Sequence, residues 1–440
     1  MIKVAKFGGS SVADSEQFKK VKKIIESDPQ RKFVVTSAVG KSNKDDHKVT
    51  DLLYLTFAHK KYNVEYNDIL SIIETKYVNI AKELNIDIDL HKEFDIIREQ
   101  IDNNIKEDYL VSRGEYLAGK LLSRYLGFEF LDAKDFIAFD YNMKIDLKTT
   151  KDKFDVLYNP KNKYVIPGFY GTTPDGEIRV MTRGGSDITG SIVANIADAD
   201  MYENWTDVSG LLVCDPRIVD NPKSIAVISY DELREISYMG AKVLHDEAIF
   251  PAKEKNIPIN IRNTNDMENK GTLILKDCAE EDRKSTPLSI TGITGKKHFN
   301  IITIKKNNIS NEVGVIAKAL KILADFNVSI ENLPISVDNF GLVVEEKSIE
   351  KNQYELISKF KEELDTNDIN VLKGISLIAI VGRGLVARPG IAGKIFKTLG
   401  DEGINIKVIS QGSDEINITI GVEDKDYEKT INCIYDNFIR

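Results

Sequence analysis

Lys6-Phe7-Gly8-Gly9-Ser10-Ser11 places a lysine just ahead of two glycines, where a strand-like run over residues 2–7 ends and a helical pattern begins. Glycines in such a turn let backbone N–H groups approach a phosphate, which the N-terminus of the following helix also attracts. The pattern is not the Walker GxxxxGK[ST], and a Gly-Gly turn serves equally as a tight connection, although the first strand-to-helix turn is a favoured ligand position. Arg183-Gly184-Gly185-Ser186-Asp187 precedes the helical run 188–197. There Ser186 or Asp187 caps the helix while the glycines make the turn, or else the planar fork of Arg183 suits a substrate carboxylate while Gly184-Gly185 let the chain lie against a ligand. Glu115, on a helix expected to begin at Ser112-Arg113-Gly114, either answers an ammonium group or merely suits a helix first turn. Thr206-Asp207 ends a strand over 201–205, a place where polar loops line ligand crevices, though it also reads as turn chemistry. In Gly240-Ala241-Lys242-Val243-Leu244-His245 a lysine among small and apolar residues is either snorkelling surface or a phosphate contact.

These residues need a frame. Short β-branched runs at 33–35, 128–131, 164–166 and 257–261 alternate with helical patterns at 15–27, 67–104 and 112–125, which predicts βαβ units and an open, mainly parallel sheet covered by helices. Near 271–294 the pattern loosens into a charged stretch around Lys276-Asp277-Cys278, so a domain boundary is expected there. Beyond it the chain repeats itself. Strand 301–304, helix 313–323 and strand 327–330 are echoed by 377–381, 389–399 and 404–409, a period of about 75 residues that suits two duplicated βαββαβ modules. The domains expected are 1–280, 295–370 and 371–440.

With 440 residues, 42% hydrophobic and 29% charged, the chain exceeds what one core supports and shows no composition of disorder. A net charge of −9 disfavours nucleic acid, and the lysines at 19–23 alternate with a buried helix face. Three cysteines without CxxC spacing suggest neither a disulfide framework nor a zinc site. No metal-ligand set is singled out. No apolar run approaches the ~20 residues of a membrane span, so a cytoplasmic protein is expected.

Together and in order, these stretches resemble the aspartate kinases of the amino acid kinase superfamily, end to end. The most specific matches are residues 4–12, Thr182 to Asp187, Trp205-Thr206-Asp207-Val208-Ser209-Gly210, Asp215-Pro216-Arg217 and Met239 to His245. The resemblance implies a three-layer αβα kinase domain followed by two α+β ACT domains. It implies transfer of the ATP γ-phosphoryl group, with Mg2+, to the β-carboxylate of L-aspartate, giving 4-phospho-L-aspartate on the route to lysine, threonine and methionine. It casts Lys6 and Asp187 as catalytic, and Ser37, Thr50, Glu115, Arg183, Gly184 and Ser186 as substrate-binding. Lys6, Gly8, Gly9, Ser10, Thr206, Asp207, Arg217 and Lys242 become the ATP site. Trp205 stands where such proteins usually carry Tyr, Val213-Cys214 replaces a small polar pair, and Asp246 replaces a Pro after Leu-His.

The chemistry agrees, since a β-carboxylate with an ordinary pKa near 3.9 is already a nucleophile at neutral pH and needs no general base. Acetylglutamate, glutamate and uridylate kinases share the glycine-rich start, but the doubled C-terminal module and the His245 neighbourhood favour aspartate. An inactive sensing protein would not be expected to keep Lys6, Arg183 and Asp187 together. A fused dehydrogenase is not expected, as no later GxGxxG unit follows. The resemblance further implies that the two-module tail pairs between subunits and binds an end-product amino acid, so a homodimer or dimer of dimers inhibited by lysine ahead of threonine is expected. The effector contacts suggested are Val313, Gly314, Ser329, Ile330 and Glu331, and Glu331 as readily stands as a solvent-facing strand-end residue.

Overall fold

The computed structural model describes every residue except 104, 183, 241–245, 277–289, 308, 310–311, 367 and 387–388. The chain divides into two compact units. The first holds Met1–Leu211, Ser224–Tyr230 and Lys242–Cys278, and the second Leu212–Lys223, Asp231–Ala241 and Ala279–Arg440.

The first unit is built on an eight-stranded sheet. Its strands are β1 (Lys3–Phe7), β2 (Arg31–Thr36), β3 (Glu129–Phe130), β4 (Tyr164–Pro167), β5 (Met201–Thr206), β6 (Val227–Ser229), β7 (Ile259–Asn263) and β8 (Thr272–Leu275), in the order β6-β8-β7-β5-β1-β2-β4-β3. All neighbours are parallel except β7 and β8. Central strands of a parallel sheet are covered on both faces and so read as near-continuous apolar runs. Val4, Ala5 and Phe7 in β1, and Val34 and Val35 in β2, are accordingly buried.

One face packs under α1 (Ser15–Glu26), α2 (Val49–Lys61), α3 (Asn67–Glu83), α4 (Leu90–Asp102) and α5 (Glu107–Leu126), with Ala5, Phe7, Val34, Val165 and Trp205 meeting their apolar stripes. On the other face lies α6 (Gly185–Ile196), where Tyr202 lies against bare Gly190, and Phe33 packs on Phe154 of the helix Leu147–Leu157. This is the expected three-layer arrangement. The helical stretch expected at 67–104 holds two helices with a break after Glu83, and α5 begins at Glu107, which places Glu115 in mid-helix. The first-turn reading of Glu115 therefore fails.

The second unit carries a five-stranded sheet of β9 (Gly292–Lys305), β10 (Asn339–Glu345), β11 (Asp368–Val381), β12 (Val408–Gln411) and β13 (Asn417–Glu423), ordered β10-β9-β11-β13-β12. The two 14-residue strands serve both repeats. The second half of β9 opens the first repeat and the first half of β11 closes it. The second half of β11 opens the second repeat, whose chain ends on the helix Tyr427–Phe438, and its closing strand is the first half of β9, pairing Gly292–Lys296 with Leu377–Val381. Between the halves the register shifts, with His298 at φ 72° and Gly374 at φ 69°. Both repeats bury one helical face each, Ile322, Leu356 and Phe360 against Ile302 and Leu342 in the first, and Ile395, Leu399, Ile431 and Ile434 in the second. The strand expected at 327–330 is not a ladder strand; only isolated bridges Asn332 to Val343 and Ile335 to Phe340 form, around a proline, Pro334, that has no N–H to give. No helix among the described residues is long and apolar enough to cross a membrane.

Strands β2 and β5 are also tied by charge across β1. Arg31 Nε donates to Glu203 Oε2 at 2.6 Å and its second nitrogen to Oε1 at 3.1 Å, while Trp205 Nε1 donates to the same carboxylate at 2.9 Å. Both charged residues are buried. Breaking a buried pair from one side strands the other charge, so Glu203→Ala should cost about 3–5 kcal/mol in a urea titration, and the apolar pair Arg31→Met with Glu203→Leu should recover most of it.

Candidate active site

The chain runs from β1 to β2 on one side and returns through β5 on the other, so a crevice opens at the carboxyl ends of β1 and β5. Lys6, the penultimate residue of β1, is buried, and its Nζ lies 2.6 Å from Asp187 Oδ1 in the first turn of α6. Gly184 caps that helix at φ 79°, a left-handed conformation that costs a glycine little and turns the chain into the crevice. Ser186 is buried with its Cβ against Gly168, whose N–H donates to Thr36 O at 2.9 Å.

The Gly-Gly turn continues β1 as a short 3-10 segment, Gly9–Val12. Gly8 does not offer its N–H to a ligand. It donates to Trp205 O at 3.0 Å, extending the β1–β5 pairing, so the donors at the open start of the turn belong to Gly9 and Ser10. Against it lies Gly40, where a Cβ would come within 2.5 Å of the Gly9 carbonyl. Ser37 N–H donates to Phe7 O at 3.1 Å, holding the end of β2 beside the same turn.

Glu115 reaches this place from the middle of α5, packed close because Gly114 lets the helix approach Ala38 and Val49. It is 4% exposed, and its Oε2 has no hydrogen-bond partner. Burial pushes its carboxyl up to about 8, against the pull of backbone N–H groups at Ala38 and Glu115 and of the Lys6 charge. Thr50 sits in the first turn of α2, next to Val49, whose N–H donates to Val39 O at 3.3 Å. Thr206 and Asp207 lie at the end of β5, where Thr206 Oγ1 donates to Asp207 Oδ1 at 3.2 Å.

The first unit thus gathers Lys6, Gly8, Gly9, Ser10, Ser37, Thr50, Glu115, Gly184, Ser186, Asp187, Thr206 and Asp207 around the carboxyl ends of β1, β2 and β5. Arg217 belongs to the second unit, where its exposed side chain pairs with Asp215. Arg183 and Lys242 lie outside the described residues. The sequence reading missed Asn204, which donates from Nδ2 to Asp187 Oδ1 at 3.1 Å, and Tyr202, whose hydroxyl donates to Asp187 O at 3.1 Å. The available signal was an amide in mid-strand, where apolar residues belong.

In the second unit a cavity of about 380 Å³ is lined by Leu320, Ile330, Glu331, Asn332, Leu333 and Ser410. Tyr238 donates its hydroxyl to Glu331 Oε2 at 2.9 Å. Of the suggested effector residues, Ile330 and Glu331 line this cavity. Gly314 caps the helix Val315–Asp325 at φ 91°, while Val313 and Ser329 are exposed.

Residues 1–263 match the amino acid kinase family and residues 378–438 an ACT domain. Aspartokinase 3 of Bacillus subtilis (strain 168) is 32% identical, over 99% of this chain and 98% of that protein. The crystal structure of Clostridium acetobutylicum aspartate kinase, an allosteric enzyme, superposes with a TM-score of 0.90 at 47% identity, over 99% of both chains. Escherichia coli aspartokinase III, 24% identical over the whole of both chains, gives 0.74 in its complex with aspartate and ADP and 0.72 with lysine and aspartate, a likeness of fold. The chain belongs to the amino acid kinase family and, within it, to the aspartokinases, which phosphorylate aspartate with ATP.

The raised Glu115 pKa has a thermodynamic consequence. Between the ordinary 4.5 and about 8, the folded protein holds a proton there that the unfolded chain has released. Stability from this group is therefore full below pH 4.5 and falls as pH rises toward 8. Glu115→Gln, which cannot titrate, should lose this decline, gaining on the parent by on the order of 3 kcal/mol between pH 5 and pH 8 in chemical denaturation.

Proposed function

We propose that the crevice at the carboxyl ends of β1 and β5 is where this aspartokinase phosphorylates the aspartate β-carboxylate to 4-phospho-L-aspartate, and that Lys6 is its catalytic cation. The observation that carries this is the Lys6–Asp187 pair, a buried ammonium fixed by a half-buried aspartate at the helix start and set two residues before the Gly-Gly turn. The acceptor carboxylate is already ionised, so the protein's task is to bring two anions together in line and to stabilise charge spread over the γ-phosphoryl oxygens. Lys6 does the latter, with backbone donors at Gly9 and Ser10. Ser37, Thr50, Arg183, Gly184 and Ser186 hold aspartate, while Thr206, Asp207 and Lys242 line the nucleotide site and Gly8, its N–H already given to Trp205, contributes only its bare backbone.

Glu115 takes the substrate ammonium. Its proton is then lost, because a cation beside a buried carboxyl favours the charged form. Magnesium enters as MgATP, the form of the second substrate.

We assign the kinase part to residues 1–280, apart from the segments Leu212–Lys223 and Asp231–Ala241 that fall in the second unit, and the regulatory modules to 295–370 and 371–440, the latter completed by the first half of β9. The protein then assembles as a homodimer or dimer of dimers through these modules, in the cytoplasm, and lysine inhibits it from the cavity at Glu331. The fit is chemical, a carboxylate in a small-molecule-sized hollow able to meet an ammonium. Inhibition requires the effector to bind a low-activity state better than the active one.

The test is ATP-dependent acyl-phosphate formation trapped with hydroxylamine. Turnover is expected on L-aspartate and not on L-glutamate or N-acetyl-L-glutamate, and lysine should suppress it. Lys6→Ala should lower kcat by about 10²–10³-fold or more. Glu331→Ala should raise the lysine concentration for half-inhibition about tenfold. No turnover on aspartate, or full activity in Lys6→Ala, would sink the assignment. Near pH 7 about one proton should be released per aspartate bound, measured by calorimetry in buffers of different ionisation enthalpy, and Glu115→Gln should abolish that release.

A further inference from the structure

We infer that Asn204 is a positioning residue for phosphoryl transfer, its side-chain amide keeping the Asp187 carboxylate in place as Lys6 moves toward the nucleotide. The inference rests on the reading of Lys6 and Asp187 given above.

Asn204 and Lys6 are register partners on adjacent parallel strands, so their side chains leave the same face of the sheet. Both reach the same atom, Asp187 Oδ1, the ammonium at 2.6 Å and the amide Nδ2 at 3.1 Å. A carboxylate only accepts, which fixes the amide orientation with the nitrogen toward Asp187. Tyr202, two residues earlier on that face, donates to the Asp187 carbonyl at 3.1 Å. Asp187 is thus held at side chain and backbone by β5 alone, without the lysine.

The amide is also costly where it stands. Asn204 is 4% exposed, between Tyr202 and Trp205 on a central strand, and its Oδ1 is buried with no partner. A buried acceptor left unpaired is destabilising, and leucine, nearly the same size, would carry no such burden. What the amide supplies is a neutral donor. As the ammonium follows the γ-phosphoryl group, its hold on Asp187 weakens. A carboxylate with no other donor would pull the lysine back or swing after it. A second cation would hold Asp187 but compete with Lys6, and a second carboxylate would repel it. The amide does neither.

Asn204→Leu tests this, compared with the parent and in a double-mutant cycle with Asp187→Asn. Asn204→Leu should lower kcat about tenfold, the worth of a hydrogen bond to a charged group. KM for aspartate and for ATP should stay within about twofold and the melting temperature should equal or exceed the parent's. On the Asp187→Asn background the same substitution should have no further effect on kcat. Unchanged kcat in Asn204→Leu, an undiminished loss on the Asp187→Asn background, or a kcat that falls only in step with melting temperature would overturn the inference. Impaired Asp187→Asn beside a fully active Asn204→Leu would overturn it while leaving the catalytic reading standing, whereas a fully active Asp187→Asn would remove both. Should Asn204→Leu not fold, Asn204→Val carries the same expectations.

Discussion

The ion pair between Lys6 and Asp187 joins the end of β1 to the start of α6, and the catalytic unit is arranged to hold it. A lysine ammonium is a strongly hydrated point charge that resists burial, so it stays in this place only if a carboxylate meets it there. The carboxylate stays only if the helix that bears it is seated. Bare Gly190 lets α6 approach Tyr202, whose hydroxyl binds the first turn of the same helix. Each contact sets the position of the next, and the last of them is the Lys6 charge that the proposed reaction offers to the transferred phosphoryl group.

The reverse face of the sheet uses a different device. Glu203 and Asn204 are consecutive in β5 and point to opposite faces, one to Arg31 and the other to Asp187. The Arg31–Glu203–Trp205 network fixes β5 against β2, while Phe7 stacks on Trp205 at 6.1 Å. Trp in place of the family's usual Tyr therefore has a local account, since its indole N–H reaches the buried carboxylate and its rings bridge Phe7 and Arg262. A one-residue slip of β5 would exchange the two faces and lose the site and the clamp together.

Much of this was legible before any coordinates. Lys6, Gly9, Ser186 and Asp187 sit at strand ends and helix starts, where local patterns are strong, and their convergence follows from the parallel order of the sheet. What was not legible depended on register and on distance along the chain. Asn204 looks like an ordinary polar strand residue until it is known to lie opposite Lys6. Glu115 looked like a first-turn acid because the helix start at Glu107 carries no side-chain cap. The closing strand of the second repeat precedes the first repeat in the chain, and a linear search for duplicated order cannot place it. The segments Leu212–Lys223 and Asp231–Ala241 likewise carry no compositional mark of belonging to the second unit.

The protonation of Glu115 bears on the central difficulty of the reaction, which is the meeting of two anions. An ionised glutamate buried beside the crevice would add to the repulsion felt by incoming ATP and aspartate carboxylates, and burial at about 8 removes most of that charge while the site is empty. In the role proposed for Glu115, the substrate ammonium restores the charge at the moment it is neutralised, so that the site would gain an ion pair and no net negative field. Because α5 supplies Glu115 from mid-helix, its carboxyl has no helix N-terminus to stabilise the anion early. A glutamate in a first turn would be ionised from the start, and the same residue type would then oppose the binding that Glu115 is proposed to favour.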